Sequence, residues 1–231
     1  MPMSPNRSLR LGATLLLSFS SLPALAGRPL VTDDASVVAP GMCQVEMSAQ
    51  RDPGQGWFIP ACNVANDWEV GAGFGGVRHE GAWRRALAVH AKTLFRPLTE
   101  DGWGAGVTFA QQQLTGLNGA QEGLRDRSAT LILSIPIASW AIVHANVGGI
   151  EHRAAGHGAR TWATALETTH GHTGLSLETF GERGAYRTWQ AGWRWSAVPD
   201  VLDLDAAWGV QHCDGVRANY AVLGLTWTFP R

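Results

Sequence analysis

The sequence has no apolar run of the roughly 20 residues that a membrane helix needs. Its longest apolar stretches, such as Ala141-Ile142-Val143, are soon interrupted. Charge is sparse, at 16% of residues, against about 25% in an average soluble domain. Basic residues (18) do not outnumber acidic ones (19). A polyanion binder needs a basic face, so no nucleic-acid partner is expected. A mean hydropathy of −0.06 argues against a bundle of membrane helices. Disorder is excluded as well, because 45% of the residues are hydrophobic. Abundant instead are glycine (28) and tryptophan (11).

Arg7 and Arg10, the apolar run Leu11 to Leu17 and the small-residue site Ala24-Leu25-Ala26 have the order of a secretory signal peptide. The expected organisation is a signal peptide over 1–26, an extended segment over 27–41 and one domain over 42–231. Export places the chain beyond the inner membrane.

Helical spacing is scarce in the mature chain, and a period of two runs through it. Leu87, Val89, Ala91, Thr93 and Phe95 share one face, opposite Ala86, Ala88, His90 and Lys92. Ala221, Leu223, Leu225, Trp227 and Phe229 alternate with Gly224, Thr226 and Thr228. Twelve strands are expected, at 42–50, 56–63, 67–78, 83–95, 101–112, 127–138, 140–149, 159–168, 172–181, 187–197, 200–211 and 218–229. Many approach the 9–11 residues of a tilted membrane strand, and the number is even. Connections such as 64–66, 138–139, 169–171 and 198–200 are short, whereas 51–55, 114–126, 150–158 and 212–216 are longer. Short periplasmic turns and longer outer loops are the outer-membrane pattern. The expected fold is therefore all-β: a closed antiparallel up-and-down transmembrane β-barrel of about 12 strands.

Parity alone does not separate this barrel from a soluble one that turns its apolar face inward. Two other signals do. Trp57, Trp68, Trp83, Trp103 and Trp140 lie at or near strand starts, Trp162 and Trp189 a few residues in, and Trp227 near an end, as interfacial girdles require. Trp193 sits mid-strand and does not fit, and Trp140 shares parity with His144. The final strand also ends on an aromatic, Phe229, as the signal read by barrel-assembly machinery does, although Pro230 and Arg231 follow it.

The mature start, Arg28-Pro29-Leu30-Val31-Thr32-Asp33-Asp34-Ala35 with Pro40-Gly41 and Gln44-Val45-Glu46, resembles the outer-membrane transporters grouped with meta-pathway phenol-degradation proteins. So do Pro60-Ala61-Cys62-Asn63, Ala91-Lys92-Thr93-Leu94-Phe95, Glu178-Thr179-Phe180-Gly181-Glu182 and the block from Val198 to Asp205. The resemblance implies an outer-membrane β-barrel with a transport role, its substrate small and hydrophobic or aromatic.

If the apolar faces meet lipid, the opposite faces line a lumen. That face carries Glu46, Glu69, His90, Lys92, His144, Asn146, Glu167, Glu178, Arg194, Asp203 and Asp205. Such charges must pair or stay hydrated. They form either a salt-bridged filling or a pathway whose acid excess favours cations and neutral polar molecules. The sequence alone does not decide whether the segment 27–38 plugs this lumen.

Cys43 and Cys62 face each other across a hairpin centred on Asp52-Pro53, and an oxidising compartment predicts a disulfide between them. Cys213 is left over, as a free or intermolecular thiol. His152 and His157 share one loop, and His170 and His172 share another. With no cysteine or acidic partner at ligand spacing, all four read as surface histidines, and no metal is expected. No cofactor is implied either. A Gly-x-Ser-x-Gly elbow is missing, and Gly73-Phe74-Gly75-Gly76 lacks the Lys-Ser/Thr of a phosphate loop, so the chain does not read as an enzyme. The expected partners are outer-membrane lipid, the assembly machinery and an unidentified small molecule. The function expected is passive passage of that molecule, the alternative being a non-conducting structural or adhesion barrel.

Overall fold

A computed structural model of the chain describes residues 30–231 apart from 80, 101, 117–123 and 154. The expected signal peptide, 1–26, lies outside the described residues. No helix among them is long and apolar enough to cross a membrane. Twelve strands follow one another: β1 (Met42–Arg51), β2 (Gln55–Ala65), β3 (Trp68–His79), β4 (Ala82–Arg96), β5 (Gly104–Gly116), β6 (Leu124–Ala138), β7 (Ala141–His152), β8 (His157–His170), β9 (Thr173–Glu182), β10 (Tyr186–Val198), β11 (Leu202–Cys213) and β12 (Val216–Pro230). Each pairs antiparallel with its sequence neighbours. β1 pairs with β12 from Met42↔Pro230 to Arg51↔Ala221, which closes the barrel and leaves no strand edge unpaired.

Strand parity sorts the side chains as the alternation requires. Leu87, Val89 and Phe95 of β4, Leu131, Leu133 and Ile135 of β6, and Leu223 and Trp227 of β12 are exposed on the outside. An apolar surface of this extent is not stable in water, and a closed barrel that carries it is built for hydrocarbon. We call the end holding both termini of the barrel the terminal end, and the opposite one the far end. Trp68, Trp140 and Trp227 ring the terminal end, while Trp83, Trp189 and Trp208 lie toward the far end, all exposed.

Three expectations change. Trp57 is not in the girdle. It points inward and is 4% exposed, packed with Ile59, Ala86 and Ala88. Gly73 and Gly75 of β3 leave the room, since a Cβ on either would lie 3.0–3.3 Å from the indole. Trp193 faces outward at mid-strand between Trp189 and Trp195, so the apolar belt itself holds an indole. The contrast between short and long connections also narrows. Far-end links such as 52–54, 183–185 and 214–215 are as short as the terminal-end ones. The hairpins stay paired up to tight turns: Asp214 (φ 47°) and Gly215 (φ 79°) take the left-handed conformations of a two-residue type I′ turn.

The Cys43–Cys62 disulfide is present. The two residues are register partners on the outer face of β1 and β2, at the terminal end. Cys213 is not disulfide-bonded.

Candidate functional site in the lumen

The interior is polar, and it is occupied. Residues 30–38, which precede β1, run through the barrel and are held by side chains from its wall. Glu178 on β9 accepts hydrogen bonds from the Val31 N–H (3.0 Å), the Thr32 N–H (2.8 Å) and the Thr32 hydroxyl (2.8 Å). Gln190 on β10 donates to the same carboxylate at 2.7 Å, and the Tyr220 hydroxyl donates to Gln190. Asn146 on β7 closes a two-way amide pair with Asp33, accepting from its N–H and donating to its carbonyl (2.7 and 2.8 Å). Four bonds satisfy the acceptor positions of this carboxyl group inside the barrel.

Asp33 is the centre of the clamp. Lys92 Nζ on β4 lies 2.6 Å from its carboxylate and 3.0 Å from that of Asp34, and Thr108 on β5 donates to Asp33 at 2.6 Å. Lys92 is the only lysine of the chain, and it is 6% exposed. Further along, the Ala35 N–H donates to Ser134 on β6 and the Val38 N–H to Glu69 on β3, while Asn63 on β2 donates to the Val38 carbonyl. Ala35 also packs with Leu94 and Ile132.

The structure thus places Glu69, Lys92, Asn146 and Glu178 directly on the segment. His90 and His144 stand one step behind. His90 faces Glu69 at 3.5 Å, and His144 bonds Ser134 at 2.8 Å and faces Glu167 at 3.5 Å. Arg194 lies 3.8 Å from Glu167. Glu46 and Asp205 are buried inside the wall, Asp203 half-buried, with Gln44 bonded to Glu46 and Ser196 to Asp203.

Ser134, His144 and Glu167 have the order of a hydroxyl–imidazole–carboxylate relay. The Ser134 hydroxyl is fully buried and already accepts the Ala35 N–H. No substrate reaches it while the segment is in place, and the relay reads as a clamp.

Two open volumes remain, one on each side of the segment. Toward the far end a vestibule is lined by Phe180, Tyr186, Ile150, Asp126, Glu182 and Asp33. Toward the terminal end another is lined by Asp34, Glu46, Glu69, Lys92, Arg194 and Asp203. Asp33 faces one and Asp34 the other, so the stretch around these residues separates them.

Sequence reading placed Gln190 on the lumen face, where it lies, but missed Thr108, Ser134, Asn63 and Tyr220 as partners of this arrangement. All sit on the lumen parity of their strands, which was the available signal. It also left His152 and His157 without an acidic neighbour. That is corrected: Glu182 lies 3.1 Å from His152 Nε2, and Asp126 lies 3.3 Å from its Nδ1. Both carboxylates come from strands remote in sequence, where local spacing gives no hint.

A family described as "Uncharacterised conserved protein UCP029691" matches residues 14–229. The chain belongs to that family. The match does not show the meta-pathway grouping that the blocks along the mature chain resemble. No curated protein matches in sequence. Among solved structures, the KdgM porin in complex with disordered oligogalacturonate is similar at 10% identity and a TM-score of 0.62, over 81% of this chain and 99% of that one. The NanC porin is similar at 10% identity and 0.55, over 80% and 98%. The translocator domain of the autotransporter NalP from Neisseria meningitidis gives 8% and 0.52, over 84% and 91%. The likeness is one of fold: a porin-like β-barrel.

Proposed function

We propose that this barrel lies in the outer membrane of a Gram-negative bacterium, exported by segment 1–26, and passively passes small uncharged or cationic molecules. Its N-terminal segment is then the constriction. One observation carries the reading: among the described residues, the vestibules toward the two ends meet at Asp33 and Asp34, on a stretch of chain that is not part of the wall. A lumen filled by strand side chains is fixed, whereas a tethered segment can leave.

The orientation has its own support. Arg51, Arg78, Arg85, Arg127, Arg160, Arg187 and Arg217 all lie toward the far end on outward parity and are exposed. Arg187 also stacks over Trp162 and Trp189, at 5.8 and 4.8 Å. A ring of guanidinium groups at one rim suits a leaflet rich in phosphate, so the far end faces outward. Among the described residues the far-end connections are short, which favours a channel over an adhesion barrel.

The far vestibule suggests what enters. Phe180, Tyr186 and Ile150 offer apolar contact, in keeping with the aromatic substrate that the meta-pathway resemblance implies, while Asp126 and Glu182 repel anions. The oligogalacturonate of the KdgM complex, a polyanion, is not carried over to this chain.

The test is conductance in planar bilayers. The full protein should give small, cation-preferring steps, and a variant lacking 30–38 should give larger ones. If both stay silent while folded, the channel reading fails.

A further inference from the structure

At the far mouth, four strands bring two imidazoles and two carboxylates together. Register sets His152 of β7 opposite His157 of β8 and opposite Asp126 of β6. Glu182, the last residue of β9, is buried beside them. We propose that His152, His157 and Glu182 bind a divalent transition-metal ion of the zinc, nickel or copper class, with Asp126 holding the His152 ring in place.

The spacing supports this. A nitrogen of each histidine and an oxygen of Glu182 all lie within 4.8 Å of one another. Two ligands at bond lengths of about 2.1 Å and a tetrahedral angle stand roughly 3.4 Å apart. His152 Nε2 and the Glu182 carboxylate, 3.1 Å apart, are already close to that bite. The rings of His152 and His157 have centroids 5.2 Å apart, and His157 is exposed, so a turn of its side chain completes the set.

The second shell is in place as well. Asp126, 3.3 Å from His152 Nδ1, can accept a hydrogen bond from the N–H there, which leaves Nε2 as the ligand atom. The chemistry of the set narrows the ion. Two imidazoles and one carboxylate suit borderline metals, whereas calcium and magnesium take mainly oxygen ligands. Asp126 and Glu182 both line the far vestibule, so a remaining coordination position opens to solute there. The nearby Arg153 guanidinium lies 3.7 Å from Glu151, which offsets its charge. The inference does not depend on whether the barrel conducts.

The experiment uses the full, untagged protein folded in detergent and stripped with chelator. Titration calorimetry with Zn²⁺ and Ni²⁺ measures affinity, and Co²⁺ absorption reports nitrogen and oxygen ligation. One ion per chain is expected. His157→Ala and Glu182→Gln should each weaken binding at least about tenfold, and Asp126→Asn about tenfold. His170→Ala/His172→Ala, at the other end, should change nothing, and excess Mg²⁺ should not displace Zn²⁺. His157 is exposed, so its variant keeps the fold, checked by heat-modifiable gel migration. Absence of binding by the folded protein overturns the proposal and leaves His152 as a hydrogen-bonded bridge between two acids. Equal binding by His157→Ala and Glu182→Gln, or displacement by Mg²⁺, overturns it too.

Discussion

The ring of His90 lies directly over Gly71, its register partner on the adjacent strand: a Cβ on that glycine would stand 2.1 Å from His90 Cε1. His90 faces Glu69, and Glu69 accepts the Val38 N–H. One missing methyl thus reaches the N-terminal segment through two side chains. Gly71→Ala should destabilise the folded barrel by about 1–3 kcal/mol, read from the urea midpoint in detergent. Gly149→Ala, whose Cβ would meet only a carbonyl oxygen at 3.6 Å, should stay within about 0.5 kcal/mol.

Removing the Lys92 ammonium leaves the Asp33 carboxylate buried with one charge partner fewer, at a cost of about 3–5 kcal/mol for such a pair. The segment is the part free to move, so the cost should appear as its release. A cysteine at Thr32, in a background where the other three are serine, should react slowly with a soluble maleimide. Lys92→Met should speed that reaction by at least about tenfold, which corresponds to about 1.4 kcal/mol of easier opening. Equal rates would mean that the clamp does not depend on this ion pair.

The Cys43–Cys62 bond closes a loop with a sequence separation of 19, worth about 3 kcal/mol of chain entropy. Double replacement by alanine should lower the unfolding midpoint accordingly. Because the bond sits on the lipid face of the wall, conductance should be unchanged.

The outward arginines predict a salt-sensitive affinity for phosphorylated lipid. Arg127→Ala/Arg160→Ala/Arg187→Ala should weaken binding of purified lipopolysaccharide severalfold at low salt, measured by fluorescence titration, and the difference should shrink as ionic strength rises. No change at low salt would remove the argument for which rim faces outward.

Most of the barrel was legible because its physics is local. Strands such as β4 and β12 announce themselves by alternation, and the Cys43–Cys62 pair follows from one hairpin. Trp57 misled because its place near a strand start outweighed its parity, which it shares with Ile59 and Asn63. Only the glycines of β3, on the next strand, show that an indole fits inside. Trp193 was a puzzle for the opposite reason, since position near an interface is a tendency and parity a constraint. The segment 30–38 has no periodicity of its own. Its path is set by Glu178, Lys92, Asn146 and Glu69, each on a different strand, and contacts of that kind appear only once the wall has closed.

With its one lysine locked against Asp33, the folded protein offers acylating reagents no side-chain amine at its surface. An amine-reactive dye therefore becomes a clock for the departure of the N-terminal chain: modification at position 92, counted by mass spectrometry on intact cells or vesicles, records how often the gateway stands empty.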